Sequence, residues 1–187
     1  TGANNTANGY NALYSNTTGS NNTALGYNVL SSNTTGQYNI GIGGNDATNL
    51  TTLGNNTTGS SNVAVGMAAL LNNSTASNNT AVGYQSLRAN TTGANNTASG
   101  YQSLYSNTTG STNTSVGRVA SYSNTTGSYN TAVGEGALYT ASTGSNNTAL
   151  GKAAGDNITT GSSNIVIGAN VDAPSATASN QLNIGNT

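Results

Sequence analysis

Residues 79–95 read Asn79-Thr80-Ala81-Val82-Gly83-Tyr84-Gln85-Ser86-Leu87-Arg88-Ala89-Asn90-Thr91-Thr92-Gly93-Ala94-Asn95, and the phrase begins again at Asn96-Thr97-Ala98-Ser99-Gly100-Tyr101-Gln102-Ser103-Leu104. The same step of 17 residues separates Gly9, Gly26, Gly43, Gly66, Gly83, Gly100, Gly117, Gly134, Gly151, Gly168 and Gly185, except that Gly43 and Gly66 are 23 apart. A fixed period in this range marks units that stack on their neighbours, because one unit alone cannot bury its apolar side. The chain therefore reads as a rod. It is one repeat domain over residues 1–187, with regular turns over 1–160, an outward insertion near 46–53, and modified or capping turns over 161–187.

Numbered from the glycine of each Thr-Gly pair, the unit has Asn at its fourth place ten times: Asn5, Asn22, Asn39, Asn62, Asn79, Asn96, Asn113, Asn130, Asn147 and Asn164. The fifth place is β-branched through those ten units, and the seventh is mostly aliphatic (Leu25, Ile42, Val65, Val82, Val116, Val133, Leu150, Ile167). Between them the sixth is small: Ala7, Ala24, Ala64, Ala81, Ala98, Ala132 and Ala149, with Gly41 and Ser115 in the same slot. Alternation with period two predicts a short strand. A second short strand is expected after the eighth-place glycine, over Tyr10, Tyr27, Tyr84 and Tyr101 and the leucines three residues on. The unit closes through Asn-Thr-Thr-Gly, which favours a turn because Asn tolerates left-handed geometry and Gly takes it without steric cost.

These features predict an all-β fold: a parallel β-roll or β-solenoid of about eleven turns. Glycine twice per unit, with so much Asn and Thr, works against a helix. Stacked turns would carry the fourth-place Asn as an amide ladder, as in cross-β structures. A single coil this thin buries little, so association along the small sixth-place face is expected to supply the missing contact. Val166 and Asn183 at the sixth place, and Pro174 in a corner, mark the closing turns as different.

Composition narrows the function. Charged residues are 4% of the chain and the net charge is -1, with Arg88, Arg118 and Lys152 far apart, so there is no basic stripe for nucleic acid. No apolar run approaches the roughly 18 residues of a membrane span. There is no Cys or His, which removes thiolate and imidazole chemistry. The sequence starts at Thr1 in mid-pattern, and the chain is expected to be a piece of a longer polypeptide.

The phrases Asn22-Thr23-Ala24-Leu25-Gly26, Asn62-Val63-Ala64-Val65-Gly66 and Asn79-Thr80-Ala81-Val82-Gly83 resemble the head repeat of trimeric autotransporter adhesins. The longer unit, with Gly83-Tyr84-Gln85-Ser86-Leu87 and Gly100-Tyr101-Gln102-Ser103-Leu104, is similar to repeats of bacteriophage tail fibres, and residues 161–187 are similar to the segment that in such fibres often precedes a self-cleaving chaperone domain. The resemblance implies a parallel homotrimer wound about one axis, placed in a virion tail fibre or at a cell surface, joined to other fibre segments at both ends and facing a glycan or protein receptor.

Little in the chain points to catalysis or to a cofactor, and neither is expected. Asp46, Glu135, Asp156 and Asp172 fall in different places of different units, and without a paired, positioned acid and base they read as surface charges. Gly41-Ile42-Gly43-Gly44-Asn45-Asp46 lacks both the following helix of a nucleotide loop and the recurrence of a calcium repeat, so no metal is expected there. The Asn-Thr-Thr corners at Asn16, Asn33, Asn56, Asn90, Asn107 and Asn124 are also glycosylation sequons, though turn formation accounts for them.

Tyr10, Tyr27, Tyr84 and Tyr101 would line a sugar-binding face if their rings were open, or else cover a thin core. The leading expectation is a non-catalytic, trimeric adhesive fibre segment acting through multivalent contact. The alternatives are an ice-binding solenoid built on the paired threonines, and a subunit of an end-to-end extracellular filament.

Overall fold

The computed structural model describes residues 2–44 and 50–185. Among these it contains no helix and eleven three-residue strands: β1 Thr6–Asn8, β2 Thr23–Leu25, β3 Ile40–Ile42, β4 Val63–Val65, β5 Thr80–Val82, β6 Thr97–Ser99, β7 Thr114–Val116, β8 Thr131–Val133, β9 Thr148–Leu150, β10 Ile165–Ile167 and β11 Leu182–Ile184. They form one parallel sheet in chain order, β1 to β11. The protein is a β-solenoid of about ten turns, since eleven strands enclose ten connections.

Register follows the repeat. Thr6 pairs with Thr23, Ala81 with Ala98 and Val133 with Leu150, so each place lies on its own copy in the next turn. The pairing Gly41↔Ala64 holds across the six extra residues. The insertion expected at 46–53 is shorter than that on its closing side. Thr51 and Thr52 are buried, and Leu53 takes the core position that Leu30 and Leu70 hold in the turns before and after. Asp46 and the rest of 45–49 lie outside the described residues.

The arc after each eighth-place glycine is not the second strand that the sequence suggests. Left-handed residues alternate along it, as in Gly100 (φ 137°), Gln102 (φ 51°) and Leu104 (φ 54°). An extended strand cannot contain such residues. Hydrogen bonds still hold the arc. The Gln102 and Leu104 amides reach carbonyls of adjacent turns, Tyr84 and Ala120, both at 2.9 Å, while Ser103 and Asn107 close tight turns onto Gly100 and Leu104. A left-handed leucine costs about 1–2 kcal/mol. Complete burial of the same side chain contributes about as much or more. Leu30, Leu53, Leu70, Leu87, Leu104 and Leu138 are all fully buried, in keeping with that offset.

The core lies between the sixth place of the strand and this arc. A Cβ on Gly41 would sit 2.5 Å from Cγ1 of Val29 and 3.5 Å from Cδ1 of Leu30. The sixth place is therefore small because the chain's own arc presses on it. In the closing turns the volumes are exchanged: Val166 fills the sixth place where Gly155 stands in for leucine, and a Cβ on Gly155 would be 3.4 Å from Cγ2 of Val166. The apolar core falls into two clusters, one ending at Leu104 and one beginning at Ala120. They part where Ser115 replaces the sixth-place alanine and Ser121 the leucine; both hydroxyls are buried and lack a hydrogen-bond partner.

Candidate functional surfaces

Two columns of asparagine run up the rod. The fourth-place residues named above form a ladder in which the side chain bonds chiefly to the backbone of the next turn, with direct amide-to-amide bonds as well from Asn62 to Asn39 at 3.2 Å and from Asn113 to Asn96 at 3.1 Å. Asn96 shows the pattern: its Nδ2 donates to the Gly110 carbonyl at 2.9 Å, and its Oδ1 accepts the Asn113 backbone N–H at 2.9 Å. The side chain thus stands in for a peptide group, satisfying one donor and one acceptor of the next turn. The same pair of bonds recurs from Asn5 (to Gly19 and Asn22) to Asn164 (to Ala178 and Gln181).

A continuous amide-to-amide ladder runs at the fifteenth place. Asn33, Asn56, Asn73, Asn90, Asn107 and Asn124 each donate from Nδ2 to Oδ1 of the preceding member, beginning with Asn16, over 2.8–2.9 Å. Each also donates to the carbonyl three residues on, as Asn90 does to Gly93. The ladder stops at Asn124, whose buried Oδ1 has no partner because the next turn offers Ala141. Apart from Asn73, which is followed by Ser74, these are the asparagines of the Asn-Thr-Thr corners. Five of the sequon nitrogens are buried (Asn33, Asn56, Asn90, Asn107 and Asn124) and already donate twice, so in the folded rod they are closed to a glycan.

The sixth-place alanines do not form an exposed contact face. Ala24, Ala64, Ala81, Ala98, Ala132 and Ala149 are wholly buried within the chain, and only Ala7, in the first turn, is exposed. The outer face of the sheet belongs instead to the fifth and seventh places, as period-two alternation requires once the sixth points inward. Ile42, Val82, Val116, Val133 and Leu150 are 37–39% exposed, and Leu182 and Ile184 reach 65% and 60%. Beside them stands a column of threonines, unbroken from Thr80 through Thr97, Thr114 and Thr131 to Thr148.

The tyrosines stack along the axis. Tyr10 and Tyr27 have ring centroids 5.2 Å apart, and Tyr84 and Tyr101 are 5.4 Å apart at 11°. A separate stack runs Tyr105, Tyr122, Tyr139 at 5.0 and 5.3 Å. Each pair covers one face of each of its rings, while Tyr10, Tyr27 and Tyr101 stay 68%, 46% and 46% exposed. Burial, and then the neighbouring phenols Tyr105, Tyr139 and Tyr101, hold the Tyr122 pKa above the usual phenol value.

Among the described residues no three carboxylates, cysteines or histidines cluster, and no helix is long and apolar enough to cross a membrane. Glu135 pairs with Arg118 at 3.0 Å on the surface. Asp156 and Asp172 meet in the closing turns. Burial first, then a hydrogen bond with Asp172 and its charge, raise the Asp156 pKa above the ordinary carboxylate value.

A raised folded pKa means that protonation favours the fold: this stabilisation is complete below about pH 4 and is lost as pH rises through the raised value. Wild-type protein is accordingly expected to lose stability relative to Asp156→Asn as pH rises above about 4. Urea midpoints at several pH values measure this difference, and parallel pH profiles for the two proteins would refute it.

No family model matches this chain, and neither a curated protein nor a solved structure was found to be similar to it.

Proposed function

We propose that this chain is a rigid, non-catalytic segment of an adhesive fibre, of bacteriophage tail-fibre or cell-surface type, that works as a parallel homotrimer and supports attachment to a receptor-bearing surface. The observation that carries the reading is the outer sheet face. At the seventh place aliphatic side chains stand in a column from Leu25 to Ile184, broken only at Ser99 and flanked by the threonine column, while the chain's own core is closed behind them. Extended exposed apolar surface of this kind marks an interaction site. A second and third copy in the same register would meet like with like along the whole length, and three parallel chains would multiply weak surface contacts. Other fibre segments would join at the ends.

The test uses residues that leave the monomer core intact. Sedimentation equilibrium is expected to give three chains for the wild type and one for the double variant Val116→Lys, Val133→Lys, because six ammonium groups would be forced into one dry contact. A monomeric wild type, or a trimer that tolerates both lysines, would defeat the reading.

One observation favours a second reading. The corner threonines Thr17, Thr34, Thr57, Thr91, Thr108 and Thr125 donate their hydroxyls to the next turn's carbonyl. The regular threonine column on the outer sheet face is the fifth place. If the wild type is monomeric and inhibits ice recrystallisation, that column supports an ice-binding solenoid instead.

A further inference from the structure

Two mixed columns lie side by side on the arc of four successive turns. The ninth-place column reads Tyr84, Tyr101, Arg118, Glu135, and the thirteenth-place column reads Arg88, Tyr105, Tyr122, Tyr139. Each guanidinium caps a tyrosine stack: Cζ of Arg118 lies 5.9 Å from the Tyr101 ring centroid, and Cζ of Arg88 lies 5.5 Å from that of Tyr105. Gln85 and Gln102 stand at the tenth place between the columns, joined by a 2.8 Å amide bond. Two of the three cationic side chains of a chain whose net charge is -1 are gathered here.

Their charges are not equally answered. Arg118 is paired with Glu135. Arg88 has for partner the neutral Tyr105 hydroxyl, 2.9 Å from its Nη1, and its buried Nε has none. The patch thus keeps one positive charge, set among phenol and amide groups. It suits a ligand rich in acceptor oxygens that carries negative charge. Single-stranded nucleic acid is a poorer fit, because it binds by laying bases on open aromatic faces and by neutralising a row of phosphates, whereas Tyr101, Tyr105 and Tyr122 have both faces under a ring or a guanidinium and the cations are two.

We propose that this Arg–Tyr patch is a binding site for an acidic polysaccharide, with a uronate-type carboxylate on the Arg88 guanidinium. The proposal deepens the attachment reading by giving the receptor a chemistry, and rests on it only for its biological setting, since every residue belongs to one chain.

The chain has ten tyrosines and no tryptophan, so tyrosine fluorescence reports on the stacks directly. Titration with a galacturonate oligomer is expected to change that fluorescence saturably, and added salt should weaken the response. A neutral glucose oligomer of equal length should give none. Arg88→Gln should reduce affinity about tenfold or more, the loss of a charge-assisted hydrogen bond. Arg88→Lys, which keeps the charge without the planar fork, should fall between. Circular dichroism on both variants guards against loss of the fold.

Failure of galacturonate to bind, equal binding of the neutral oligomer, equal binding of oligothymidylate, or an unchanged affinity in a folded Arg88→Gln would each overturn the site. A trimer that ignores galacturonate removes this site and leaves the fibre reading standing. A monomer that binds it does the reverse.

Discussion

Asn96→Leu is expected to destabilise the rod by roughly 2–6 kcal/mol, far beyond the effect of an ordinary surface change. The shape is nearly conserved, so the loss comes from polarity. Without the amide, the Asn113 N–H and the Gly110 carbonyl are stripped of their partners inside a closed wall. Each such group costs about 1–3 kcal/mol when buried unpaired. The neighbouring Asn95→Ala is the control. Asn95 is exposed and left-handed (φ 61°), and its replacement should cost about 1 kcal/mol or less. Urea midpoints give the comparison. Hydrogen exchange at the Asn113 amide localises it, since this proton should lose protection before those of distant turns. Equal midpoints for the two variants would show that the fourth-place column is decorative.

Gly100→Ala should be comparably damaging for a different reason. Gly100 sits at φ 137°, where a side chain is strained, and a Cβ there would come within 2.5 Å of the Gly117 carbonyl oxygen and 2.7 Å of its carbon. The conformational strain costs about 1–3 kcal/mol. Displacing a backbone wall that is itself locked to further turns adds about 1–3 kcal/mol. Gly93→Ala, at the other corner, should be milder: a Cβ there would also press on the Gly110 carbonyl oxygen, but Gly93 is not left-handed and so adds no conformational strain, and Ala76 already occupies that first place within the rod. A Gly100→Ala protein that unfolds at the wild-type urea concentration would mean that neighbouring turns separate more easily than the ladder of bonds implies.

How far the sequence could be read depended on what repetition reveals. Asn recurring at one place, and glycine at another, announce positions that every turn must treat alike, so the strand at each Thr80-Ala81-Val82-like phrase and its in-register partner were legible. The arc was not. Tyr101-Gln102-Ser103-Leu104 has the residue types of a strand, and nothing local betrays that Gln102 and Leu104 are left-handed. That conformation is sustained only because Leu104 is buried and its amide is taken by Ala120 in the next turn. The fifteenth-place ladder was hidden differently: Asn90 in Asn-Thr-Thr suits a turn so well that its second role, donating to Asn73 of the preceding turn, left no separate trace.

The 17-residue period alone settles that this chain is a solenoid of stacked, in-register turns, because identical units that cannot bury themselves must bury one another in the same way each time. It cannot settle which side of each strand is inside. Alternation divides Thr80, Ala81 and Val82 between two faces and says nothing of their direction. Only the three-dimensional path of the arc decides it. Leucines folded back by left-handed residues leave room for nothing larger than alanine opposite them. The valines and threonines are thereby turned outward, onto the outer face of the sheet.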